Sequence, residues 1–260
     1  MKIGENSMTY KLLVLLLAIA FSSCTNNNSD KKAGFENNSL TQSEIKDGWK
    51  LLFDGKSFEG WRGIGIDKVP DGHWKIEDGC IKKIASGNVP TLSDGQPQKG
   101  GDLITKQTFN NFELSFEWKI SHAGNSGVKY NVIEELSIEK GISSALGYEF
   151  QVLDNINHSD TVANHLTGSL YDIIGAPKEA VKRVGEFNTS RIVFNNNHGE
   201  HWLNGVKVVE YYIDTPEFQK LFEKSKYKDI PNFAEHKVAR IVLQDHGNDC
   251  WYRNIKIRTL

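Results

Sequence analysis

Residues 148–154 read Tyr-Glu-Phe-Gln-Val-Leu-Asp, YEFQVLD. Tyr148, Phe150 and Val152 share one side of an extended chain, and Glu149, Gln151 and Leu153 share the other. A period of two with one apolar face predicts a β-strand laid over a core. The flanking runs repeat it. In 114–120, Leu114, Phe116, Trp118 and Ile120 face one way, and Ser115, Glu117 and Lys119 the other. In 126–132, Val128, Tyr130 and Val132 oppose Lys129 and Asn131. Towards the C-terminus, 191–195 reads as a strand, 195–199 as a loop, and 201–209 as a hairpin around Asn204-Gly205, the strongest short hairpin signal. Residues 239–244 form another strand, 245–249 a turn and 251–257 a last strand, with Trp251, Arg253, Ile255 and Ile257 on one face. One segment, 215–226, spaces Phe218, Leu221 and Phe222 as a helix does, with Lys224, Lys226 and Lys228 as a solvated rim. Short strands, Gly/Asn/Asp turns and the absence of a repeat or internal linker predict one all-β domain over 48–260, a sandwich of two antiparallel sheets.

The 260 residues carry a formal net charge of -2, with 38% hydrophobic and 25% charged residues. That balance has no basic stripe and excludes nucleic acid as the expected partner. Residues 12–21, LLVLLLAIAF, follow a lysine-bearing start and are too short to span a bilayer, which needs about 20 residues. With Ser22 and Ser23 before Cys24, residues 1–23 read as a signal peptide and resemble a relaxed lipobox. The expectation is an exported protein acylated on Cys24 and held to the membrane by that lipid. No acidic run of the kind that suggests surface display follows Cys24, so the periplasmic face is expected. Residues 24–47, poor in apolar side chains early on, are expected to be a flexible tether. In an oxidising compartment, Cys80 and Cys250 could pair or remain two buried thiols.

Glu117, Lys129, Glu149 and Gln151 would converge if their strands lie in one curved sheet. A solvated outer face is the plain alternative. Glu149 and Gln151 lie in an aromatic-rich strand that runs into the polar corner Leu153-Asp154-Asn155, as carboxylates and amides do where they receive sugar hydroxyls. Asn125-Ser126-Gly127 is a tight turn entering a strand. His158 and His165 flank a polar loop ahead of Gly168, Tyr171 and Asp172. In Gln244-Asp245-His246-Gly247, His246 beside Asp245 reads as a base oriented by a carboxylate or as a surface turn histidine. Trp202 could stack on a sugar ring or belong to the core. There is no HExxH, CxxC, phosphate-cradling glycine loop or GxSxG elbow. Scattered acids and histidines allow a divalent metal without a spacing that predicts one.

Six ordered blocks carry a family resemblance. They are 49–56 (WKLLFDGK) with Gly60-Trp61, 74–79 (WKIEDG), 125–128 (NSGV), 147–154 (GYEFQVLD), 168–172 (GSLYD), and 243–247 (LQDHG) with Arg253-Asn254-Ile255. Over about 48–260 the chain resembles the 3-keto-disaccharide hydrolase domain family. The resemblance implies a concanavalin A-like jelly-roll β-sandwich. It also implies cleavage of glycosides whose sugar carries a C3 ketone, made beforehand by a separate oxidoreductase. The ketone acidifies the C2 proton, so a base can form an enolate, the C1 substituent leaves, and water adds to the enone. The chemistry needs a base, an enolate stabiliser and a proton for the leaving oxygen. Glu149 or His246, the latter with Asp245, is the expected base. Lys129, Gln151 or a divalent cation is expected to stabilise the enolate, and Tyr171 or Glu117 to protonate the leaving group. Asn125, Gln244 and Trp202 complete the expected carbohydrate contacts. The competing readings are a carbohydrate-binding module of the same fold, with no turnover, and an ordinary retaining glycosidase, whose Glu-x-Asp-x-x-Glu strand is not found here.

Overall fold

The computed structural model describes Met1 and residues 36–85, 101–139, 144–177, 180–234 and 238–260. The signal peptide, Cys24 and residues 24–35 of the expected tether lie outside the described residues, Met1 excepted. Residues 36–47 fall in the compact unit that runs from Phe35 to Leu260. This stretch was expected to be tether. Instead Asn38 exchanges hydrogen bonds with Asn254, and Thr41 and Glu44 form a capping box on a short helix α1, Gln42–Lys46. Local capping and pairing to the last strand order it despite its polar composition.

Among the described residues the strands are β1 (Lys50–Leu51), β2 (Trp61–Gly63), β3 (Trp74–Glu77), β4 (Cys80–Lys83), β5 (Leu103–Thr105), β6 (Phe112–Ile120), β7 (Asn125–Val132) and β8 (Tyr148–Leu153). They continue with β9 (Asn188–Asn195), β10 (His198–Leu203), β11 (Val206–Tyr212), β12 (Arg240–Leu243) and β13 (Cys250–Thr259). Two further short helices are α2 (Glu134–Glu139) and α3 (Pro216–Phe222). One sheet runs β11-β10-β9-β6-β13-β4-β3, with β1 also on β13, and the other runs β2-β5-β12-β7-β8. Every pairing is antiparallel, and the fold is a concanavalin A-like jelly-roll sandwich. Between the sheets, Leu114, Phe116 and Trp118 of β6 meet Val128, Tyr130, Phe150 and Val152 of β7 and β8, all nearly inaccessible. Burial of such side chains stabilises by roughly 1.5–3 kcal/mol each.

Three local expectations change. Residues 195–199 are a tight turn rather than a loop, because Asn196 takes φ 54° and β10 starts at His198. The helix after Thr215 ends at Phe222 and buries Phe218 against Tyr211, while Leu221 stays 38% exposed. On β13, Trp251 and Arg253 do not share a face with Ile255 and Ile257. A bulge sits between Arg253 and Lys256, with Asn254 at φ 51°, so the alternation changes phase and both isoleucines turn into the core. Cys80 and Cys250 are separate buried thiols. Cys250 lies opposite Lys83, three positions along β4 from Cys80, and burial pushes its thiol up to about 12.

Candidate active site

The site lies on the face of the five-stranded sheet turned away from the core. Lys129 on β7 is the register partner of both Glu149 on β8 and Val242 on β12, and Leu243 pairs with Leu103 of β5. Val242 in turn pairs with Ile104 of β5, and residues two places along each strand return to the same face, which brings Asp102, Gln244 and Gln151 onto it. A polar row therefore crosses four strands: Asp102, Gln244, Lys129, then Glu149 and Gln151. Each is at most 4% exposed.

Lys129 Nζ lies 3.8 Å from Glu149 Oε2 and 4.0 Å from Asp102 Oδ2. It donates to the Ala145 carbonyl at 3.0 Å and to Ser144 Oγ. Asp102 is held by the Ala145 and Asp245 amides, at 2.8 Å each. With their carboxamide nitrogens turned to it, Gln151 and Gln244 reach Glu149 Oε1 at 3.1 and 3.2 Å, and the Gln244 oxygen accepts from Lys129 at 3.2 Å. A β-carbon at position 127 would overlap Glu149 Oε1, so glycine there lets the carboxyl lie across β7. Burial raises the Glu149 carboxyl above its ordinary value, and Lys129 pulls the other way. Asp102 is raised for the same reason, again opposed by Lys129. Burial that disfavours the charged form makes each carboxyl a stronger proton acceptor than an exposed one.

A rim surrounds the row. The Tyr171 amide donates to the Glu149 carbonyl at 3.0 Å, which sets Tyr171 beside β8. Its ring stacks on His165 at 4.5 Å, and Lys226 Nζ lies 4.5 Å from the ring centroid. His165 contacts Asp160 at 2.7 Å and Asp172 at 3.0 Å. Asn125 Nδ2 lies 3.4 Å from His246 Nε2.

Most of the expected residues thus come together: Glu149, Gln151, Lys129, Gln244, Asn125, Tyr171 and His246. Glu117 and Trp202 do not. Both lie on the outer face of the eight-stranded sheet, because β6 and β10 belong to that sheet and not to the one holding β7 and β8. Glu117 pairs with Arg253 at 2.8 Å and lines a polar groove of about 350 Å³ with Glu44, Asn254 and Lys256. Trp202 donates to Glu200 at 2.7 Å beneath the Arg191 guanidinium, 4.2 Å from its ring. Asp245 does not orient His246. Its Oδ2 meets Nδ1 of His73, and its Oδ1 accepts from Lys83 Nζ and the Gly247 amide, both at 2.9 Å.

His73, Lys83 and Asp102 were missed by sequence reasoning. Lys83 sits in an ordinary Lys-Lys pair on a short strand. His73 stands one residue ahead of the 74–79 block, and Asp102 follows Gly101 just before an apolar run; neither position carries a spacing signal. For a metal, one group among the described residues has suitable geometry: His198, Glu200 and Glu210, with ligand atoms within 4.8 Å. It lies on the β10–β11 hairpin of the other sheet, where Lys207 already meets Glu200 at 3.3 Å and Glu210 at 2.6 Å. In the Glu149 row the position between the carboxylates is held by the Lys129 ammonium.

A jelly-roll sandwich with a buried carboxyl–lysine–amide row on one sheet has the features of a carbohydrate-active hydrolase. The family model described as 3-keto-alpha-glucoside-1,2-lyase-like domain matches residues 48–258, and the chain belongs to that family. It is 39% identical over 245 residues to a 3-keto-disaccharide hydrolase of Bacteroides thetaiotaomicron, covering 86% of this chain and 83% of that one. A solved structure from Parabacteroides distasonis described as a glycosyl hydrolase superposes with a TM-score of 0.75 at 28% identity, covering 86% of this chain and 100% of that one. A second structure so described, from the same organism, gives 0.58 at 28% identity, over 82% and 99% of the two chains.

Proposed function

We propose that this protein cleaves glycosides whose sugar carries a ketone at C3, by elimination followed by hydration. The observation that carries the reading is the Glu149 carboxyl, buried beside Lys129 and bracketed by two carboxamides. A carboxyl raised by burial can take the C2 proton, which the neighbouring ketone has made acidic. The Lys129 ammonium, 3.8 Å from that carboxyl, is placed to stabilise negative charge developing on the C3 oxygen. Gln151, Gln244 and Asn125 supply amide donors and acceptors for the remaining hydroxyls, and Tyr171 stands beside Glu149 on the edge of β8. Proton abstraction beside a ketone does not use the paired carboxylates of ordinary glycoside hydrolysis. The similarity to a 3-keto-disaccharide hydrolase supports the same substrate class. The reading includes export, a lipid anchor on Cys24, and supply of the ketone by a separate C3 oxidoreductase.

The test incubates the protein with a 3-keto-disaccharide and with the unoxidised parent sugar, each with and without EDTA. Mass spectrometry follows the products and ultraviolet absorbance the enone. The expected outcome is cleavage of the keto sugar alone. Glu149→Gln is expected to lower turnover by roughly 10²–10⁴-fold with binding retained. Cleavage that survives EDTA leaves enolate stabilisation to Lys129, whereas loss of activity adds a divalent cation. Binding of both sugars without cleavage of either defeats the reading and favours a binding module.

A further inference from the structure

The described histidines near the sheets differ in how their ring nitrogens are used. In the core, His201 spends both: Nε2 lies 2.8 Å from the Tyr130 hydroxyl and Nδ1 lies 2.9 Å from the Gly168 carbonyl. His165 likewise spends both nitrogens, on Asp160 and Asp172. His73 differs. Its Nδ1 meets Asp245, no described residue hydrogen-bonds its Nε2, and 8% of the side chain reaches solvent.

The carboxylate behind it is fixed. Asp245 is completely buried, with Oδ1 held by Lys83 and the Gly247 amide at 2.9 Å each. Lys83 is itself fully buried and donates to the Ile84 carbonyl. A β-carbon at Gly101 would overlap both Asp245 Oδ2 and His73 Nδ1, so the pair occupies space that exists only because position 101 is glycine. The charged groups facing the imidazole among the described residues are Asp245 directly and Lys83 behind it. Asp102 lies one step further, accepting from the Asp245 amide at 2.8 Å and facing Lys129 at 4.0 Å. The Glu149 row and the His73–Asp245 pair are therefore two ends of one buried polar network. An imidazole whose first nitrogen is fixed by a carboxylate, and whose second is open, is arranged for proton transfer.

We propose that His73, oriented by Asp245 and Lys83, is the group that gives the leaving oxygen its proton and then activates the incoming water. This rests on the 3-keto-glycoside reading above. In the elimination, Glu149 takes the C2 proton, the C2–H pair forms the C1=C2 double bond, and the C1–O bond breaks. The departing oxygen takes the Nε2 proton of His73, releasing a free alcohol and an enone. In the hydration, the now neutral imidazole takes a proton from water as its oxygen bonds to C1, and Glu149 returns a proton to C2. One water is consumed, both groups regain their starting forms, and nothing is oxidised or reduced. Asp245 and Lys83 act as positioning residues.

The test compares the full-length protein with its His73→Gln variant on two substrates, a 3-keto-disaccharide and the 4-nitrophenyl 3-keto-glucoside. A sugar alkoxide needs a proton to leave, and nitrophenolate does not. In single-turnover release of the leaving group, which precedes the hydration shared by both substrates, the variant is expected to lose roughly 10²–10⁴-fold on the disaccharide and less than about tenfold on the nitrophenyl glycoside. The retained nitrophenyl activity also shows that the variant is folded. An equal loss on both substrates, or no loss on either, overturns the assignment while leaving Glu149 in place. If the wild type cleaves neither keto sugar, the reading of the reaction itself falls.

Discussion

The outer faces of the two sheets are written in the same alternating code and have opposite fates. On the five-stranded sheet, Asp102, Lys129 and Glu149 are 1%, 4% and 3% exposed. On the eight-stranded sheet, the Glu117 and Arg253 side chains remain 24% and 25% exposed. Trp251 there has both Lys82 and Lys119 within 4.6 Å of its ring centroid. Charges on the exposed face are screened, and each pair contributes little. Charges on the buried face depend on one another, because a partner removed there leaves an ion without water. The candidate site lies where the protein, and not solvent, decides protonation.

The widest gap between the faces should appear with Lys129→Met. Removing the ammonium leaves Asp102 and Glu149 buried without their cation, and a loss of about 3–5 kcal/mol is expected in urea denaturation at neutral pH. Because burial raises both carboxyls, the loss should shrink as pH falls and they take up protons. A loss that does not change with pH would break the argument.

His201, in the core between the faces, tests burial acting without a carboxylate partner. Burial holds its imidazole down to about 4, against an ordinary value of about 6.5. Between those values the unfolded chain binds the extra proton. Stability from this group is thus fully present above about pH 6.5 and is lost as pH falls towards 4, by about 3 kcal/mol in total. Denaturation midpoints of wild type and His201→Gln across that window should show the shallower slope in the variant.

The smallest effects belong to the exposed face. A double-mutant cycle of Glu117→Gln and Arg253→Gln should give a coupling below about 1 kcal/mol. Glu117→Gln and Trp202→Ala should leave turnover of a 3-keto-disaccharide unchanged. A severalfold fall in turnover with either would join the two faces functionally and end the distinction.

Much of this fold was legible in the chain. The alternation in 114–120, 126–132 and 148–153 gave the inward side of β6, β7 and β8, and Asn204-Gly205 marked its hairpin, with Asn204 at φ 50° and Gly205 at φ 86°. The reading failed where one residue shifts the phase, as at Asn254, since a bulge leaves the composition of a strand unchanged. It failed again for Glu117, because alternation says which residues share a side of a strand and not which sheet the strand joins.

The site divides along the same line. Glu149, Gln151 and Lys129 were visible because neighbouring strands with a period of two place them on one face. His73 was not, because its partner Asp245 is 172 residues away and the contact exists only once the segment before β3 packs against the loop after β12. By itself the sequence determined a two-sheet sandwich and a polar row along one strand pair, since those follow from local periodicity. Only the tertiary structure decided which polar face is buried, which carboxyls are raised by it, and which histidine Asp245 holds. Burial and long-range pairing are properties of how the sheets and loops close over one another, and no local pattern encodes them.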